Sequence, residues 1–87
     1  MPSATFDYEI MSKRTATVLR NAFGPNAAVR TDPGGESGKV FVRIVSDKFD
    51  GRSETQKQKA IWDTLKKEMK EDAQAVALVL AFGTDQV

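Results

Sequence analysis

The 87-residue chain contains no cysteine and no histidine. The first absence removes disulfides, thiolate nucleophiles and thiolate metal ligands together. The second removes the common general base, the commonest metal ligand and the usual proton switch near neutral pH. Carboxylates, lysines, hydroxyls and the single tyrosine, Tyr8, are what is left for catalysis. A non-enzymatic protein with no cofactor is therefore expected. Long apolar runs are missing too: none reaches the roughly 20 residues that a membrane helix needs. The opening MPSATFDYEI has neither a basic start nor an apolar core. No secretory signal is read there, and the cytoplasm is the expected compartment.

A strong charge of either sign is lacking as well. The net charge of +1 exerts no global pull towards nucleic acid. Its distribution is uneven. Residues 39–59 hold Lys39, Arg43, Lys48, Arg52, Lys57 and Lys59 against Asp47, Asp50 and Glu54. Residues 60–87 reverse the balance, with Lys66, Lys67 and Lys70 against Asp63, Glu68, Glu71, Asp72 and Asp85.

What is present is patterned apolar sequence. A chain this short makes one domain with a single core layer. Residues 1–9 lack clear periodicity and read as an arm, with the domain spanning 10–87. From Ile10 to Phe23, positions 11, 15, 18 and 22 share a helical face with Leu19 and Phe23 beside it. Gly24-Pro25 stops that helix, since proline disfavours helical geometry in the residue before it. Asn26 to Thr31 is a short extended piece, and Asp32 to Gly38 is a polar loop with three glycines suited to a hairpin. Lys39 to Ser46 alternates, Val40, Val42 and Ile44 to one side and Phe41, Arg43 and Val45 to the other.

Asp50-Gly51 marks a reversal. Two overlapping capping boxes follow, Ser53 with Gln56 and Thr55 with Gln58, either able to start a helix. Ile61, Leu65 and Met69 at a spacing of four carry it to about Lys70. Ala73 to Phe82 is nearly continuous apolar sequence, with Val76, Leu78, Leu80 and Phe82 on one side, and fits a central strand. The order helix-strand-strand-helix-strand predicts an α/β (α+β) domain. Its three-stranded mixed sheet carries both helices on one face, and the last strand pairs in parallel through its helix crossover.

That order, and the residues themselves, resemble the BolA-like family, whose small domain is related to the type II KH fold. Val42 to Leu65, VRIVSDKFDGRSETQKQKAIWDTL, resembles the family's strand ending in V-S-D-x-F-x-G and its helix with R-H-R-x-I-Y-x-x-L. Val18 to Phe23 resembles the first-helix ending K-L-x-x-A-F, and Ala75 to Leu78 sits at the family's H-A-L strand. The resemblance spans roughly residues 10–82. It implies a regulator of transcription or stress response that binds nucleic acid, or a partner of a monothiol glutaredoxin sharing an iron–sulfur cluster.

The departures fall on the cluster ligands. Lys57-Gln58 stands where the family's helix carries Arg-His, and Gln74 stands at the last-strand histidine. The first strand–strand loop offers Asp32, Glu36 and Ser37 in place of a histidine or cysteine. An amide oxygen is a poor partner for a soft iron–sulfur centre. No metal ligation is expected.

Two surfaces remain as candidates. Lys48, Arg52, Lys57 and Lys59, with Arg43, are expected to form a basic strip at the helix start, neutralising phosphates of DNA or RNA. Gly51 to Glu54 lies near the G-x-x-G clamp of a KH domain, but Glu54 replaces the second glycine, and a turn leading into an N-cap fits it better. Gln58, Gln74 and Trp62 are the candidates for docking a protein partner of the monothiol glutaredoxin type, without cluster ligation. The nucleic-acid reading leads and the adaptor reading follows.

Overall fold

The computed structural model describes residues 6–35 and 38–87. The elements run α1 (Tyr8–Phe23), β1 (Ala28–Pro33), β2 (Val40–Val45), α2 (Glu54–Met69) and β3 (Val76–Phe82). Short 3-10 turns at Asp47–Phe49, Lys70–Ala75 and Thr84–Gln86 join and close them. Of the arm expected over residues 1–9, positions 1–5 lie outside the described residues, and Tyr8 and Glu9 are already helical. The cause is local: Asp7 caps α1, its carboxylate accepting from the Ile10 amide at 3.2 Å.

The expected fold is present. Strand order is β1-β2-β3, with β1 antiparallel and β3 parallel to the central β2. Val40, Val42 and Ile44 are buried beneath the two helices, while Phe41 and Arg43 are exposed on the other face. The helices meet each other through Thr15, whose hydroxyl donates to Met11 O at 2.7 Å and approaches Met69 Sδ at 3.7 Å. The buried stripe of α1 is Met11, Thr15, Ala16, Leu19 and Phe23. It therefore centres one step from the expected 11-15-18-22 face, with Val18 only half-buried and Ala22 exposed.

Four expectations about the strands need correction. β1 starts two residues later than Asn26, because Gly24 and the turn after it occupy the intervening chain. β3 starts at Val76, since Lys70–Ala75 first forms a 3-10 turn. And β3 is an edge strand: β2 lies between β1 and β3, so β3 has a strand neighbour on one side only. β3 also does not keep its alternation. Val40 pairs with Val76, but Phe41 pairs with Leu78, so Ala77 is an extra residue. A bulge shifts the period-two side-chain pattern by one position. Val79 and Ala81 consequently face the core, and Leu78 and Leu80 face outwards.

Candidate functional site

The turn after β2 is built from inside. Phe49 is buried, its ring 4.9 Å from that of Phe23 at a 50° tilt, which docks the turn under the end of α1. Ser46, also buried, donates to Phe23 O at 3.3 Å and accepts from the Lys48 amide at 3.2 Å. Gly51 takes a φ of 73°, a conformation that side chains with a Cβ disfavour. Ser53 then caps α2 in a full capping box with Gln56. Thus the second of the two overlapping boxes is not used, and Gly51 to Glu54 is a turn and a cap.

This turn is clasped to the chain's last described residues. The Asp50 carboxylate accepts from the Thr84 hydroxyl at 2.7 Å and from its backbone amide, and the Gly51 amide donates to Asp85. The Thr84 hydroxyl bond, joined by backbone amides, holds the Asp50 carboxyl below its usual value. A second clasp lies beneath. The Lys57 ammonium donates to Ala81 O at 3.0 Å and Gln86 Oε1 at 2.8 Å, and pairs with Glu54 at 3.0 Å. All three of its donor directions have a partner.

Those contacts dissolve the expected basic strip. Lys57 is 1% exposed and belongs to the core stripe, four residues before Ile61 and eight before Leu65. It cannot present its charge to a phosphate. Lys59 is exposed but pairs with Asp63 at 2.7 Å, and that hydrogen bond raises its pKa. Lys48 and Arg52 are exposed side by side, the Arg52 Nε donating to Lys48 O at 3.0 Å. Arg43 lies on the open face of the sheet, over the ring of Phe82. The structure brings together two of the five cations named for the strip.

The three partner candidates, by contrast, do come together. Gln58 uses both ends of its amide: Nε2 donates to Val79 O at 2.9 Å, and Oε1 accepts from the Trp62 indole N–H at 3.0 Å. One bond ties α2 to the β3 backbone, the other fixes the indole's orientation. Trp62 is half-buried against the core and separates two shallow depressions. One is lined by Gln58, Lys59 and Lys66, the other by Lys66, Lys70 and Gln74. Gln74 itself is exposed. Lys70, beside it, holds a φ of 54° where α2 ends, the single positive φ of a non-glycine among the described residues. Such backbone strain persists where surrounding structure over-determines it.

A model of the BolA-like protein family matches residues 19–84. The chain belongs to the BolA-like family. Among solved structures, the chain is similar to the BolA domain of SufE1 from Arabidopsis thaliana, at 25% identity and a TM-score of 0.64. That likeness covers 87% of this chain and 94% of the other. No curated protein compared with it matches. No helix among the described residues is long and apolar enough to cross a membrane.

The family's signature residues now have physical roles in this member. The V-S-D-x-F-x-G segment is a buried serine, a buried phenylalanine and a positive-φ glycine that together fold the turn onto α1. The ligand positions fare differently. One lone pair of Gln58 Oε1 already accepts from the Trp62 indole, and its amide nitrogen has none to offer. Gln74 adds only a second hard amide, and Glu36 and Ser37 lie outside the described residues. No group of three or more acidic, cysteine or histidine side chains assembles among the described residues. This donor set does not fit an iron–sulfur cluster.

Sequence reasoning missed two functional details. Lys57 as a structural cation was visible in the spacing 57-61-65-69, an apolar stripe with its first member charged. Asp50 as the clasp for Thr84 left no signal, because its partner is 34 residues away.

Proposed function

We propose that this BolA-like protein is a non-enzymatic adaptor that docks a protein partner of the monothiol glutaredoxin type through the Trp62 side of α2, supplying no cluster ligand. One observation carries the reading. The residue at the family's helix ligand position, Gln58, spends its amide on holding a partly buried tryptophan rather than on an open coordination site. Trp is over-represented among residues that anchor protein interfaces, and its neighbours Gln58 and Gln74 add polar contacts at the rim. The strained Lys70 borders the same surface. The nucleic-acid alternative loses support because Lys57 is buried and Arg43 lies on another face.

The test is a titration of isotope-labelled protein with a monothiol glutaredoxin, apo and cluster-loaded. The expected result is movement of the Trp62 indole resonance and of α2 amides from Gln58 to Lys66. Trp62→Ala weakens the complex by about tenfold or more, the scale of an interface anchor. The cluster's absorption spectrum stays that of the glutaredoxin alone. A new mixed-ligand spectrum, or binding that ignores Trp62→Ala, overturns the reading. So does salt-sensitive binding of duplex DNA centred on Lys48 and Arg52 with no response to the glutaredoxin.

A further inference from the structure

The face of the sheet that the helices leave uncovered has an unusual composition. Cross-strand pairing sets Arg30, Arg43 and Leu80 in one row, with Asp32, Phe41 and Leu78 in the next. Phe41, Leu78 and Leu80 are 42%, 44% and 48% exposed, three of the five large apolar side chains exposed among the described residues. A sheet that leaves one face to water ordinarily sets polar residues on it. Here one face has no cover within the described chain.

The charges on this face are arranged against folding stability. Arg30 and Arg43 stand directly opposite on antiparallel strands, where like charges destabilise. Asp32 relieves this little, pairing with Arg30 at 3.8 Å with both side chains mostly in water. Arg20 joins them around the β1 edge, lining one depression with Arg30 and Arg43 and no acidic side chain. The neighbouring depression shares Arg30 and Arg43, carries Asp32 as its one acidic side chain, and is floored by Phe41, Leu78 and Leu80. Guanidinium groups next to open apolar side chains match a ligand that is anionic and apolar in alternate places.

The geometry points to an acidic amphipathic helix of a partner protein as the occupant of this face. Its carboxylates meet Arg30 and Arg43, and its apolar side chains meet Phe41, Leu78 and Leu80. Successive rows on the sheet are about 6.7 Å apart. A helical turn advances about 5.4 Å, so residues at i and i+4 serve a charged row and an apolar row in turn. A second copy of the chain fits badly: stacking two such faces opposes four arginines. Single-stranded RNA fits less well than the helix, because Leu78 and Leu80 offer no π-face and Arg43 already covers Phe82. This face is separate from the Trp62 surface, and the two proposals stand or fall apart.

The probe is a synthetic helical peptide of about 15 residues with glutamates and leucines on one stripe. A version with lysine for each glutamate and a uridine octanucleotide serve alongside it, against isotope-labelled protein. The acidic peptide is expected to shift the amides of Phe41, Arg43, Leu78 and Leu80, and the lysine peptide to leave them still. Arg30→Glu with Arg43→Glu reduces affinity at least about tenfold, the expected scale for reversing charges at an interface. Thermal unfolding of that variant is little changed, since the reversal replaces one exposed like-charge pair by another at the same cross-strand position. Trp62→Ala leaves peptide binding intact. Equal binding of both peptides, or shifts confined to other faces, overturns the proposal. Tighter binding of the octanucleotide at the same amides replaces the helix with single-stranded RNA. Concentration-dependent shifts without ligand make the face a self-association surface instead.

Discussion

The two faces of this sheet spend the same kinds of residue differently. On the covered face a lysine is buried, and every contact it makes is satisfied. Lys57 holds Ala81 O, Gln86 and Glu54 at once. No buried side-chain polar atom among the described residues lacks a partner. On the open face two arginines oppose each other and leucines meet water. A cation on the covered face is part of the fold, whereas a cation on the open face is available to something else. Charge counted along the chain cannot separate these cases, because Arg43 and Lys57 contribute equally to such a count.

The largest test of the contrast is Lys57→Glu. It buries a carboxylate beside Glu54 and the Ala81 carbonyl, leaving both uncompensated. A loss of about 3–5 kcal/mol is expected in urea unfolding, enough to unfold much of a small domain. If stability changes by less than about 1 kcal/mol, in the range of an exposed pair, the covered face does not depend on this lysine. Any test of the cations around the start of α2 for ligand binding must therefore use Lys48 and Arg52, in the turn before it.

A finer cut compares neighbours across the β3 bulge. Val79→Ala removes buried methyl groups from the core side and should cost about 2 kcal/mol. Leu80→Ala, one residue on, should cost less than about 0.5 kcal/mol, as surface changes usually do. Equal losses from the two would mean that β3 does not bulge at Ala77.

The smallest expected effect separates the two clasps on Thr84–Gln86 by pH. Asp50 is exposed, and its carboxyl is held low by the Thr84 hydroxyl. A depressed folded-state value means that its stabilisation is present above the unfolded pKa of about 3.9 and fades as pH falls through the lower folded value. Asp50→Ala should therefore lower the melting temperature slightly at pH 7, with the gap from the parent closing in acid. A gap that stays constant down to the most acid conditions would remove the carboxylate from the clasp.

Much of the fold was legible in the residues, for local reasons. The alternation of Val40 to Val45 fixes the inner and outer sides of β2 because the strand period is two. Gly24-Pro25 and the box of Ser53 with Gln56 mark helix ends through groups within a few residues of one another. The turn motif and the two helix stripes carried the family resemblance for the same reason. Of the candidate docking residues, Gln58 and Gln74 come from that resemblance and Trp62 from its own chemistry; Trp62 bonds to Gln58 and lines one depression with Gln74.

The remaining features depend on where distant segments meet. The apolar run before Phe82 reads equally well as a central or an edge strand, and only the pairing on both sides of β2 makes it an edge. Its parity turns on one unpaired residue, Ala77, whose extra place appears only against Val40 and Phe41. Lys57 became structural because the β3 backbone and Gln86 come within reach of its ammonium, 24 and 29 residues later in the chain. Short-range patterns set which side of each element is apolar. Which apolar sides find a cover, and which stay open to a partner, is settled only when the elements pack.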